Sequence, residues 1–211
     1  SVTKVPERWA NTWDNNIEMA QLADEAGVEF LLPIARWVGY GGETDFHGNV
    51  LETITWASGC LAHTSGITIF ATVHTAFIHP VVAAKQLATI DQMSRGRLGL
   101  NIVCGWNKPE YEQMGLWRGD EYYEQRYEYA ADYLQILREL WRDGQATHHS
   151  AFFDLEDCQC LPTPGREIPI VCAGQSPRGK QFVADMADQQ FVMTDAASLK
   201  DSVQDITARA R

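Results

Sequence analysis

The segment 99–115, GLNIVCGWNKPEYEQMG, puts an amide inside an apolar run and a tryptophan and a carboxylate just beyond it. Leu100, Ile102 and Val103 belong to a short, almost wholly apolar stretch, the mark of a strand buried on both faces. Asn101 is then a polar group within a buried strand, where an unpartnered amide costs roughly 1–3 kcal/mol. The run breaks at Gly105-Trp106, so Trp106 and Glu110 fall on the loop after it. A strand-end amide followed by a glycine-aromatic loop suits an α/β active site. A lone asparagine satisfied by neighbouring strands suits the same pattern, and the residue alone leaves both open.

Ligands of parallel α/β folds bind beyond the carboxyl ends of the strands, so the other strand ends matter equally. Ala35-Arg36-Trp37 follows the first apolar run, Thr72 and His74 lie near the end of the second, and Gly174-Gln175-Ser176 follows the fourth. At 173–176 the chain turns from strand into helix. A glycine there lets the backbone approach closely, and Ser176 with the N–H groups of the helix start could hold a phosphate. The same serine could be a plain N-cap. Arg126 stands one position from Tyr127 on a long helix, either as a solvated charge or within reach of a phosphate or carboxylate. Trp106 either stacks on a ligand or anchors its loop through the indole N–H.

The elements that must position these residues alternate. Residues 15–26 read as an amphipathic helix ended by Gly27, 28–34 as a buried strand, 51–63 as a helix and 67–73 as a strand. A helix from Pro80 to about residue 93 precedes a strand over 98–104. Tyr123, Tyr127, Ala130, Leu134, Leu137 and Trp141 recur at steps of four and three, which predicts one long helix with a continuous apolar face. Strands at 168–173 and 190–193 and helices at 176–187 and 199–208 complete the chain. Such alternation implies parallel strands with right-handed crossovers. It supplies about five strands, whereas a closed (β/α)8 barrel has eight.

With 211 residues, 45% of them apolar, residues 1–211 are expected to form a single domain with a sizeable core. A net charge of −11 argues against a nucleic-acid groove or an anionic membrane surface. Among the five cysteines, Cys104 and Cys172 sit in apolar runs as small hydrophobes, and Cys158 and Cys160 lack a second pair at zinc-ligand spacing. No metal site is expected; the adjacent His148 and His149 read as solvated loop. Without a signal peptide or a long apolar stretch, a reducing cytoplasm is the expected location.

Several strings carry a resemblance: GYGGETDF at 39–46, ATID at 88–91, GRLGLN at 96–101, GWNKPEYEQMG at 105–115 and CAGQS at 172–176. Together they resemble the bacterial-luciferase-like flavin monooxygenases, most closely the pyrimidine monooxygenase branch, over about residues 28–176. The GWNKPEY run is specific; the SRGR segment at 94–97 is of a kind common across the superfamily. The resemblance implies an α/β fold, a (β/α)8 TIM barrel of the luciferase-like type, here incomplete, with its first and last strands not in the chain. It implies a two-component monooxygenase that takes reduced FMN (FMNH2) from a separate NAD(P)H:flavin reductase and reacts it with O2 to a flavin peroxide. The substrate would be small and polar, with heterocyclic amides leading, and the enzyme a homo-oligomer.

Carried over residue by residue, the FMN contacts fall on Ala35, Arg36, Asn101, Glu110, Arg126, Tyr127 and Ser176. Thr72 and Asn101 match the pair that lines a dioxygen pocket and would be catalytic. Arg36, Trp37, His74 and Trp106 would face the substrate. Departures concentrate there: Arg36 replaces a lysine of the uracil-opening enzymes, Trp37 an aliphatic residue, and His74 a small apolar one. Uracil therefore does not transfer directly. Sulfonate, sulfone, amino-acid-chelate and deazaflavin-dependent enzymes of the same superfamily stay open, as does a non-catalytic flavin-binding protein.

Overall fold

The computed structural model describes residues 2–210. Helix α1 (Trp13–Glu25) starts on Thr12, whose hydroxyl accepts from Asn15 N–H, and leads into the two-residue strand β1 (Phe30–Leu31). Helix α2 (Thr53–Ala62), capped by the Glu52 carboxylate, precedes β2 (Thr68–His74). Helix α3 (Pro80–Ser94) opens with proline at its first turn, where the missing N–H costs nothing, and β3 (Leu98–Val103) follows. Short helices α4 (Lys108–Glu112) and α5 (Asp120–Glu124) lie before the long α6 (Arg126–Asp143). A hairpin of β4 (Gln145–His149) and β5 (Asp154–Gln159) then returns the chain to β6 (Ile170–Cys172), α7 (Pro177–Met186), β7 (Gln189–Gln190) and α8 (Ala196–Arg209).

The main sheet is parallel, in the order β1-β2-β3-β6-β7. Neighbours in space follow chain order with no reversal, as in a sector of a (β/α) barrel and unlike a doubly wound sheet with its switch point. The register Thr72↔Asn101↔Val171 sorts the side chains into two layers. Ile69, Ala71, Val73, Leu98, Leu100, Ile102, Ile170 and Cys172 join the helices in one apolar core. Phe70, Thr72, His74, Gly99 and Asn101 point to the opposite, inner face, and the four of these with side chains are buried there too. Gly99 is required by this layer: a Cβ on it would fall 2.5 Å from the Phe70 ring.

Three expectations are corrected. The run 28–34 is a short edge strand and not a buried one: Val28, Phe30 and Ile34 are each about half exposed, because among the described residues β1 has a neighbour only on its β2 side. The long helix is broken at Gln125, where the Arg126 guanidinium takes the Tyr123 carbonyl (2.5 Å) that a continuous helix would bond. Tyr129 and Tyr133, with Ala130, Leu134, Ile136, Leu137 and Leu140, form the buried face, and Tyr127 is only half-buried. His148 and His149 lie on β4 and not in a loop, and of the two only His149 is exposed. The His148 ring meets Asp132 of α6 at 2.5 Å, which fastens the hairpin to that helix.

Candidate functional site

At the carboxyl ends of β2 and β3, two buried polar side chains meet. Thr72 donates its hydroxyl proton to the Pro33 carbonyl (2.9 Å), so its oxygen must accept from Asn101 Nδ2 (3.0 Å). That fixes which way the Asn101 amide faces, since the single Thr72 proton is already used. Asn101 Oδ1 is left buried and without a partner. The pair therefore offers an acceptor toward the inner face of the sheet.

The loops after β1, β2 and β3 close over this pair as a mouth. Glu110, fully buried on α4, accepts from Trp37 N–H through Oε1 (2.9 Å) and sets Oε2 3.7 Å from Arg36 Nη1. Gln113 donates to the Trp37 carbonyl (3.2 Å), a second tie between the same loops. The Arg36 guanidinium lies 4.8 Å over the Trp106 ring and also donates to Tyr40 Oη (3.3 Å). Its Nε and Glu110 Oε2 are buried with no hydrogen bond. His74 stacks on Phe77 (centroids 4.8 Å apart, planes within 8°), and Phe77 contacts both Trp37 and Tyr111. Burial, then the Arg36 charge, push the His74 pKa down to about 4 against a smaller opposing pull from the Ala35 backbone. His74 is thus a neutral imidazole, and neither ring nitrogen makes a well-aligned hydrogen bond.

The third group sits at the start of α7. Ser176 caps the helix by accepting from Gly179 N–H (3.0 Å) and lies 3.4 Å from the Tyr127 hydroxyl. Gly174 and Gly179 approach so closely that a Cβ on Gly174 would fall 2.5 Å from the Gly179 carbonyl oxygen, and one on Gly179 2.6 Å from Tyr127 Oη. Arg126 lies over the rings of Tyr123 (3.9 Å) and Tyr127 (4.6 Å). Its charge reaches the buried Cys104 thiol and Tyr111 hydroxyl, favouring their ionised forms against a larger penalty from burial.

The expected residues therefore form one touching pair, Thr72 and Asn101, one mouth, and one cradle. The mouth holds Ala35, Arg36, Trp37, His74, Trp106 and Glu110; the cradle holds Arg126, Tyr127 and Ser176. A crevice of about 130 Å³ runs past Ala35, Arg36 and Trp37 to Glu52 and Thr53. A cavity of about 610 Å³ adjoins this crevice, sharing Val50 and Leu51 with it, and is lined by Trp9, Leu31, Pro33, His47 and Trp56 among others but by none of the expected site residues. Its buried amide, Asn16, is already satisfied by Asn11, Thr12 and Trp56, so size alone does not mark the site. Phe77, Tyr111 and Gln113 join the mouth without having been singled out in the sequence. Only the aromatic Phe77 and Tyr111, flanking named residues, carried a signal there. Gly179, three residues after Ser176, was equally readable as an ordinary helix residue.

The model of the family described as luciferase-like monooxygenase matches residues 2–211. The pyrimidine monooxygenase RutA of Acinetobacter baylyi is 46% identical over 181 residues, covering 86% of this chain and 49% of that protein. The protein of the same name from Methylorubrum extorquens is 44% identical over 180 residues, covering 85% and 48%. The chain thus spans about half the length of the curated relatives it matches. Among solved structures, the EDTA monooxygenase EmoA from Chelativorans sp. BNC1 superposes with a TM-score of 0.84 at 20% identity, covering 94% of this chain and 51% of that one. DmoA from Hyphomicrobium sulfonivorans gives 0.83 at 21%, covering 95% and 50%. These structures share the fold.

Proposed function

Since the chain belongs to the luciferase-like monooxygenase family, we propose that it carries the flavin and oxygen site of a reduced-FMN-dependent monooxygenase acting on a small polar substrate, with heterocyclic amides as the leading class. The observation that carries the flavin reading is the cradle at α7. A helix start, two hydroxyls and a guanidinium are the donor set a phosphate requires, and the Gly174–Gly179 approach leaves no side chain in its way. Asn101 Oδ1, buried and unpartnered, fits a second contact from a ring N–H or a ribityl hydroxyl at the sheet end. The monooxygenase reading draws on the relatives named pyrimidine monooxygenase.

Ser176, Tyr127 and Arg126 would hold the phosphate, and Asn101 with Thr72 would face the oxygen side of the ring. Reduced flavin bound there would supply the two electrons that turn one atom of O2 into water while the other enters the substrate. The protein's part is to orient and to exclude water. Trp37, Phe77, His74 and Tyr111 make the aromatic wall that does so. A separate NAD(P)H:flavin reductase would supply the reduced cofactor, in the cytoplasm.

The test uses the full-length protein. Arg126→Ala and Ser176→Ala should each weaken FMN binding by about 1–3 kcal/mol, the worth of a charge-assisted or helix-terminal hydrogen bond, and barely affect riboflavin. Equal losses for both flavins would make these residues supports of the fold. Oxygen uptake with FMNH2 that never exceeds free-flavin autoxidation would reduce the reading to flavin binding without catalysis. Binding of a deazaflavin cofactor in place of FMN would move it to the dehydrogenases.

A further inference from the structure

We propose that Glu110 sets the charge selectivity of the mouth: by balancing the Arg36 guanidinium it lets neutral, carbonyl-bearing molecules in and turns their carboxylates away. The inference rests on the reading that Arg36, Trp37 and His74 face the substrate. Read from the sequence, a guanidinium in place of a lysine suits either a carboxylate or a carbonyl pair that can take two N–H donors. The structure sets a second charge beside it. Glu110 Oε2 lies 3.7 Å from Arg36 Nη1, and their side chains are 1% and 13% exposed. Charges so placed are screened little by water or salt, so an arriving ligand meets a pair of net charge zero.

The rest of the mouth adds no compensating charge. His74 is uncharged, and Trp37, Phe77, Trp106 and Tyr111 are aromatic. What the mouth retains is hydrogen-bonding capacity without net charge: Arg36 Nε as donor, and the nitrogens of His74, which make no well-aligned bond. A carbonyl can use the Arg36 donor. A carboxylate would meet the same donor with Glu110 close behind it, and like-charge juxtaposition is the ordinary device for rejecting a wrong partner. Glu110 acts through Arg36 and the Trp37 backbone, and so is a positioning residue.

Glu110→Gln isolates the charge, because the amide oxygen can still accept from Trp37 N–H while the carboxylate is lost. The probes are uracil and its 6-carboxylate, titrated into full-length protein without flavin and followed by calorimetry and by tryptophan emission. The wild type should favour the neutral probe. Glu110→Gln should raise the affinity ratio of carboxylate to neutral by about tenfold or more, the scale for removing one charge a few ångströms from a bound anion. Arg36→Met, which leaves Glu110 unbalanced, should lower that ratio, and so tests the idea even if Glu110→Gln folds poorly. An unchanged ratio in both variants overturns the proposal, as does a wild type that prefers the anion. Binding of neither probe overturns it too, and if FMN still binds, the flavin reading stands apart from that result. Failure to bind FMN sinks the flavin reading alone, since the ratio is measured without flavin.

Discussion

The hydroxyl proton of Thr72 goes to Pro33, and everything at the sheet end follows from that assignment. Asn101 must give Nδ2 to Thr72, so Oδ1 is the atom left for a ligand. Asn101→Ala should therefore lower product formation by roughly 10²-fold or more, the scale for losing one oriented polar group, while FMN affinity falls only by the roughly 1 kcal/mol of one hydrogen bond. Coupling of O2 use to product that stays at the wild-type level in the variant would remove Asn101 from the chemistry. His74 carries a prediction of the opposite kind, about pH. Its folded pKa, about 4, lies below the ordinary value of 6.5, so between these values the unfolded chain binds more protons and stability falls as pH drops. The full effect is on the order of 3 kcal/mol. Urea unfolding of wild type and His74→Asn at pH 7, 5.5 and 4 should show a shallower decline in the variant; parallel declines would mean that His74 is not held neutral by burial. The polar members of this site were legible because Thr72 and Asn101 interrupt apolar runs. The tie from Glu110 to Trp37 was not, because it joins residues 73 positions apart whose proximity only the folded sheet creates.

At the scale of elements, periodicity served where an element packs on one face and failed where pairing, not pattern, makes the structure. Strands β2 and β3, buried on both sides, read directly as apolar runs. The hairpin of β4 and β5 did not, since QATHH and DLEDCQ present mostly exposed polar side chains and bury little beyond Ala146 and Leu155. The break at Gln125 was hidden for another reason: the apolar spacing continues through it, and only the Arg126–Tyr123 bond reveals the interruption. The inner layer of the sheet makes its own test. Gly99→Ala would place a methyl 2.5 Å from the Phe70 ring, and overpacking of this kind costs about 1–3 kcal/mol. Adding Phe70→Leu should recover most of that loss by making room. Chemical denaturation of the two single variants and the double variant checks it; a Gly99→Ala protein as stable as wild type would mean that Phe70 is free to move aside.

Across the whole molecule, the sequential parallel order of the main sheet was foreseeable from strand-helix alternation, and so were its five strands, the separate β4–β5 pair being additional. What alternation could not show is how the sheet's two outer strands stand to solvent. β1 carries Val28 and Phe30 half exposed beside it, and beyond β7 Phe191 and Met193 are exposed as well. Unpaired strand edges flanked by apolar side chains are templates for pairing with another chain. Opposing this is the net charge of −11, which keeps copies of these 211 residues apart over roughly a Debye length, about 10 Å at 0.1 M salt. The two effects separate by ionic strength, because salt screens the repulsion and leaves the apolar attraction intact. A polypeptide of these 211 residues should therefore shift from monomer toward larger species as salt rises from about 0.05 to 0.5 M, a range over which the Debye length falls severalfold. Phe30→Lys, which puts a charge on the β1 edge, should suppress that shift, whereas a lysine on the already polar face of α1, at Glu18, should not. Light scattering after size exclusion measures both, and a chain that stays monomeric at every salt concentration would show that these edges are already protected.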